Sequence, residues 1–284
     1  MKKGRASKTA LRVAIRRAAH QLKDHPPVLN DPIAVRLIGP EYANDMQRAM
    51  HKVGRDFRAF MAARSRYTED HLAEAVANGV AQYVVLGAGL DTFAWRNPFP
   101  ALHVFEVDFP ATQEWKRALL DEAGILGADE PPPARLTFVP LDFEHKVLAA
   151  GLTDAGFNAQ KTAFFGWLGV VPYLTLEAFR ATLSTIAQLP SGSGVCFDYA
   201  LPAESLSPLG KKALEGLSRR VASIGEPFRL FFSPEEMEKE LCGAGFKRVE
   251  QVDYRRLNEL YFAGRADGLK LSPLGLGKLV TAWV

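Results

Sequence analysis

Two hydrophobic rhythms divide the chain. In the first 80 residues apolar positions recur at helical spacing, as in Leu11, Ala14, Ile15, Ala18 and Leu22. From residue 82 onward short apolar runs alternate with helical stretches: QYVVLG (82–87), HVFEVD (103–108), LTFVPLD (136–142), TAFFGWLGVV (162–171) and GVCFDYA (194–200). Helical patterns at 111–123 and 176–188 lie between them. Several of these strands are apolar almost throughout, which fits a parallel sheet covered on both faces.

The punctuation refines this plan. In HPPVLNDPIAVRLIG the prolines break the chain, and Asp31 is placed to cap a short helix starting at Pro32. Residues 45–78 carry one long helical pattern, weakened at Gly54. The stretch 201–232 interrupts the strand–helix rhythm. A helix over Pro234–Ala244 should stop at Gly245, and FKRVEQVDY (246–254) and LNELYFAGRA (257–266) read as two closing strands. The expectation is a single domain over 1–284: a helical cover (1–80), a core (81–200), an insertion (201–232) and the C-terminal part of the core (233–284).

Composition adds limits. The chain has 284 residues, 48% hydrophobic and 24% charged, enough for a large core. No apolar run approaches the ~18 residues of a membrane helix, and the two cysteines, Cys196 and Cys242, lack metal-ligand spacing. Both read as buried small apolar residues in a reducing, cytoplasmic compartment. Net charge is +3, but residues 1–24 hold eight Lys and Arg against Asp24, a local +7 that leaves the remainder at −4. The expected form is a helix with one face packed and its arginines in water.

The chemistry concentrates in QYVVLGAGLDTFAWR (82–96). Gly87 and Gly89 follow a strand, and Asp108 of Glu106-Val-Asp108 ends the next strand, 19 residues after Gly89. That is the layout in which a carboxylate meets a ribose. A dinucleotide fingerprint wants a third glycine at 92, where Thr92 stands beside Asp91. A carboxylate there opposes a diphosphate and suits a cationic cofactor. Asp142 and Phe143 end the third strand, where they could meet an adenine; a helix cap is the alternative for Asp142.

The ordered set RRAAHQLKDHPPVLNDPIAVRLIG, MAARSRYTED, QYVVLGAGLDTFAWR, VFEVDFPATQEWK, FVPLDFE, WLGVVPYLT, FDYALP, GEPFR and GRADGL resembles the leucine carboxyl methyltransferase-like family, in its bacterial branch. The resemblance implies a Rossmann-like class I methyltransferase: a seven-stranded, mostly parallel α/β sheet with its last strand antiparallel. It implies S-adenosyl-L-methionine as donor and S-adenosyl-L-homocysteine as product. Carried over by position, Arg64 meets the donor's carboxylate, Gly87 and Gly89 form the donor loop, Asp108 holds the ribose, Asp142 and Phe143 contact the adenine, and Tyr173 lines the reaction site. Leu168 stands where many relatives carry glutamate, and Asp91 is the first candidate replacement.

The expected activity is O-methylation of a carboxylate or hydroxyl on a small molecule. A hydroxyl acceptor needs a base; a carboxylate does not. Tyr199 and Asp198 end the fifth strand, and His20 is the histidine to test. Tyr67, Tyr173 and Trp167 are candidates for an apolar substrate pocket, with core packing the alternative for Trp167. The competing readings are an NAD(P)-dependent oxidoreductase, and methylation of a protein C-terminus or RNA through the basic start. No metal, membrane or nucleic-acid partner is expected.

Overall fold

The computed structural model describes residues 7–51, 54–126, 133–142 and 148–284. Four helices precede the sheet: α1 (Lys8–Lys23), α2 (Pro32–Leu37), α3 (Ala43–Met50) and α4 (Arg55–Ala77). Strand and helix then alternate through β1 (Gln82–Leu86), α5 (Phe93–Arg96), β2 (His103–Asp108), α6 (Pro110–Glu122), β3 (Leu136–Pro140), α7 (Leu148–Asp154), β4 (Phe164–Trp167), α8 (Leu176–Ala187) and β5 (Gly194–Ala200). The excursion after β5 contains α9 (Pro208–Ala222), and the chain closes with α10 (Pro234–Ala244), β6 (Arg248–Val252), α11 (Tyr254–Tyr261) and β7 (Gly277–Trp283).

The sheet has seven strands in the order β3-β2-β1-β4-β5-β7-β6. The first five run parallel, and β7 inserts antiparallel between β5 and β6. Every residue of β1 and β5 is buried, as their continuous apolar runs require. One sheet face packs Phe165, Trp167 and Phe197 against Phe179 and Leu183 of α8 and Met237 of α10. The other packs Tyr83, Phe164 and Cys196 against Ala59, Ala63 and Tyr67 of α4. Trp167 is fully buried and stacks on Phe179 with ring centroids 5.7 Å apart, so it belongs to the core.

Several expectations need correction. The helical pattern of 45–78 is two helices: α3 stops at Met50, where His51 turns extended (ψ 160°), and α4 starts after Gly54. LNELYFAGRA is not a strand: Asp253 accepts from the backbone N–H of Arg255 and Arg256 and starts α11, which buries Leu257 alone. The closing strand is β7, further along the chain. The fourth strand ends at Trp167, since Gly169 turns the chain with φ 73°. Cys242 is exposed rather than buried. On α1, Leu22 is 49% exposed whereas Arg17 is 3% exposed, inverting the expectation for both.

Buried ion pairs hold the helical cover in place. Asp24, just past α1, accepts from Arg58 of α4 through Nε (2.6 Å) and Nη2 (2.8 Å) and from His20 Nδ1 (2.8 Å). His20 Nε2 accepts from the backbone N–H of Val28 (2.9 Å), so the ring is held with its proton on Nδ1. Burial works to raise the Asp24 pKa, but the bonds from Arg58 and His20 outweigh it and hold the carboxyl at about 2. Stability from this lowered pKa is present above the ordinary carboxylate range and is lost as pH falls toward 2. We predict that Asp24→Ala, which strands the Arg58 charge, costs roughly 3 to 5 kcal/mol in urea unfolding at pH 7. The deficit should shrink in the acid limb below pH ~4.

Candidate functional site: two adjoining cavities at the strand ends

β1 leaves the sheet between β2 and β4, where the strand order reverses, the position at which open α/β sheets form crevices. The loop that follows turns through Gly87 (φ 65°) and Gly89 (φ 50°), in the left-handed region that favours glycine. A Cβ on Gly87 would overlap the Val170 side chain, and one on Gly89 would stand 2.9 Å from the Ala10 Cβ. The loop is thus closed over by α1. At the end of β2, Asp108 is 9% exposed; its Oδ2 accepts from Gly89 N–H (2.6 Å) and its Oδ1 from Phe109 N–H (2.6 Å). Burial raises its pKa, and the two backbone donors offset part of that.

Asp91 does not present an open charge. Arg17 of α1 reaches it through Nη1, while the same guanidinium donates from Nε to Asp31 (2.9 Å) and from Nη2 to Thr92 Oγ1 (3.1 Å). Phe93 N–H donates to the other Asp91 oxygen (2.7 Å). Burial would raise the Asp91 pKa, but Arg17 and then Arg96 more than reverse it and keep the carboxylate ionised. The simple reading of an acid poised to repel phosphate is therefore corrected: Asp91 is one member of an ion-pair network. Thr92, at the missing third glycine, donates to Asp31 (2.6 Å) at the centre of that network.

Two cavities meet here. The first, about 270 Å³, is lined by Gly87, Gly89, Asp91, Asp108, Asp142 and Leu168 among others. The second, about 240 Å³, lies toward α4, α9 and the start of β7, with mostly apolar walls. Thr9, Val13, Arg64, Gly169 and Tyr173 line both. Arg64, 6% exposed, donates from Nη1 to Asp198 Oδ2 (2.9 Å), and Asp198 Oδ1 accepts from Gly169 N–H (2.5 Å). The acid nearest the strand-four turn is thus Asp198 of β5, not Asp91. Tyr173 has its pKa pushed up to about 12, chiefly by burial.

Most of the sequence candidates converge. Arg64, Gly87, Gly89, Asp91, Asp108, Asp142, Leu168 and Tyr173 line the first cavity, and Tyr199 lines the second. The Tyr199 hydroxyl donates to Gln251 Oε1, which engages it as a donor. Glu106 does not line either cavity; it is 1% exposed and paired with Lys116 of α6. His20 is likewise corrected, since both ring nitrogens serve the fold and it lines neither cavity. Tyr67 packs in the core beneath α4. Phe143 lies outside the described residues. Sequence reasoning missed Arg17, Thr9, Val13 and Glu226. Arg17 left a signal, because it falls on the same helical stripe as Ala10 and Ala14.

Fold and site define a Rossmann-like α/β enzyme with its ligand cavity at the switch point of an open sheet. The crystal structure of a candidate methyltransferase from Thermobifida fusca shares the fold at TM-score 0.59 and 18% identity, covering 99% of this chain and 96% of that one. A candidate S-adenosyl-L-methionine-dependent methyltransferase of Bacillus subtilis, YktD, is 33% identical over 95% of both chains. One of Mycobacterium avium is 30% identical over 84% of this chain and 81% of its own length. The family model for leucine carboxyl methyltransferase matches residues 10–187. The chain belongs to the leucine carboxyl methyltransferase family, and it is an S-adenosylmethionine-dependent methyltransferase. The oxidoreductase alternative falls with that membership. No described helix is long and apolar enough to cross a membrane.

The strand-end residues fit that donor. The glycine loop forms a cradle that a Cβ would fill, and Asp108 keeps lone pairs beyond its two backbone bonds. Arg64 Nε is buried with no hydrogen-bond partner among the described residues, a donor waiting for an acceptor. We predict that Gly87→Ala destabilises the fold by about 1 to 2 kcal/mol from the left-handed backbone alone, with a further cost from the overlap with Val170. In the Val170→Ala background the overlap part should vanish and the backbone part remain, as read by chemical denaturation.

Proposed function

We propose that the protein transfers the methyl group to a carboxylate oxygen of a small molecule seated in the second cavity. The observation that carries this reading is the chemistry around the shared wall, where the neighbouring carboxylates Asp198 and Glu226 are already hydrogen-bonded and the Tyr173 hydroxyl is held protonated. No histidine lines either cavity among the described residues. Asp198 is held by Arg64 and Gly169 N–H, Glu226 accepts from the Thr9 hydroxyl, and Tyr173, with its raised pKa, stays protonated at neutral pH. A hydroxyl acceptor would need a base from this set, whereas a carboxylate arrives already deprotonated.

In this reading Asp108 accepts from the ribose hydroxyls, Asp142 lies toward the adenine, and Arg64, braced by Asp198, meets the donor's carboxylate. S-adenosylmethionine supplies a sulfonium methyl whose carbon–sulfur bond breaks as the oxygen–carbon bond forms, leaving neutral S-adenosylhomocysteine. The chain's contribution is alignment and exclusion of water. Thr9 and Val13 of α1 and Tyr173 from the turn after β4 line the junction of the two cavities. Alignment of this kind can supply roughly 7 to 11 kcal/mol in favourable cases. Leu168, in place of an acid, keeps the strand-four wall apolar.

Two measurements test this. Asp108→Ala should weaken S-adenosylmethionine binding by roughly 2 to 3 kcal/mol in isothermal titration, since charge-assisted hydrogen bonds are lost; an unchanged dissociation constant rejects the ribose assignment. Incubation with S-adenosyl-[methyl-³H]methionine and a panel of apolar mono- and dicarboxylic acids should give a labelled product that mild alkali converts to volatile methanol. An alkali-stable label marks a hydroxyl or nitrogen acceptor and overturns the carboxylate reading.

A further inference from the structure

Helix α1 is the partition between the two cavities, and its periodicity sorts its side chains. Ala10, Ala14 and Arg17 face the first cavity, Thr9 and Val13 line both, and Arg12 and Arg16 line only the second. Arg220, near the C-terminal end of α9, joins Arg12 and Arg16 in the wall of that cavity. The remaining lining is dominated by apolar residues such as Phe57, Phe60, Leu214 and Phe228.

These three arginines, two half-buried and one exposed, differ from the buried ones. Arg17 is paired with Asp31 and Asp91, Arg58 with Asp24, and Arg64 with Asp198. Among the described residues no carboxylate stands within ion-pair distance of Arg12, Arg16 or Arg220, although Asp56 also lines the cavity. Arg16 lies over the Phe57 ring at 5.3 Å, donates from Nη1 to Arg12 O (2.9 Å), and buries Nε without a hydrogen-bond partner. Its pKa is lowered by burial first, and then by the charges of Arg12 and Arg220. Like charges gathered against an apolar wall repel one another and lose hydration, an arrangement that an anion relieves.

We propose that the second cavity takes an amphiphile whose carboxylate head is held by Arg12, Arg16 and Arg220 and whose apolar body lies along Phe57, Phe60 and Leu214. Because Arg12 and Arg16 line only the second cavity, the head sits away from the shared wall. The methyl acceptor is then a second group at the other end of the same molecule, so the substrate is bifunctional. This orientation rests on the methyl-transfer reading above; the grip on the anion does not.

The experiment is isothermal titration of octanoate and of 1-octanol, with S-adenosylmethionine titrated separately into each protein. Octanoate should bind the wild-type protein at least tenfold more tightly than 1-octanol. In R16Q and in R220Q that preference should fall below threefold, while R219Q, altered beside the cluster, keeps it. Arg220 is exposed, so R220Q tests the grip without disturbing the core. Donor binding should be unchanged in every variant, and its loss in the wild-type protein would reject the methyl-transfer reading independently of the anion site. Equal binding of the two probes, no binding of octanoate, or a preference that survives both substitutions overturns the anion site. Octanoate held by its head should take no label from S-adenosyl-[methyl-³H]methionine; labelled methyl octanoate overturns the orientation.

Discussion

The guanidinium of Arg17, set between Asp31 and Asp91, is the contact on which the site depends. It comes from the helical cover, yet it is bound to the loop after β1 and to the cap of α2 at once. Buried charges cost several kcal/mol each unless matched in place. The geometry here is therefore restrictive: α1 has one position in which Arg17 meets both carboxylates and Thr92. Arg96 extends the network to Glu69 of α4 and to Asp31. Burial alone works against the Arg17 charge, and Asp91 and Asp31 more than restore it. With α1 fixed, Ala10 closes over Gly89 and Thr9 and Val13 form the wall between the cavities.

This network also changes the electrostatic account of the glycine loop after β1. A carboxylate at Asp91 reads, in the sequence, as an uncompensated negative charge. In the folded protein its charge is balanced across the chain by a residue 74 positions earlier. The acid left open to the first cavity's ligand is better represented by Asp108, whose two oxygens are each held by one backbone N–H and retain further lone pairs. Between the cavities, Asp198 takes over as the carboxylate beside the strand-four turn and orients Arg64. The two cavities thus share one guanidinium, one tyrosine, one glycine and two residues of α1, and that common wall is what the architecture supplies.

The stabilising and the functional roles of the cover are hard to separate. The same α1 carries Ala14, Ala18 and Ala19 into the core, His20 and Arg17 into buried networks, and Arg12 and Arg16 into the second cavity. Small residues on one stripe let the helix approach the loop closely. Large cations on the adjoining stripe remain where an apolar cavity opens. A cover built in this way borders a cavity on each of its flanks without contributing a strand to the sheet.

The sequence by itself determined the sheet's first five strands, the glycine turns and the acid at the end of β2, because these follow from local period, φ preference and spacing along the chain. It also carried the ordered motifs of the family. It misjudged the end of the chain, where Leu257, Leu260 and Tyr261 fit a strand run as well as a helix face, and where the Asp253 cap decided for the helix. It placed Arg17 in water and Asp91 in the open, and it offered His20 as a base. Only the tertiary structure decided those matters, because a charge's role depends on which partner folding brings within hydrogen-bond distance. Pairings such as Arg17 with Asp91 or Arg64 with Asp198 link residues far apart in sequence, and no local pattern encodes them.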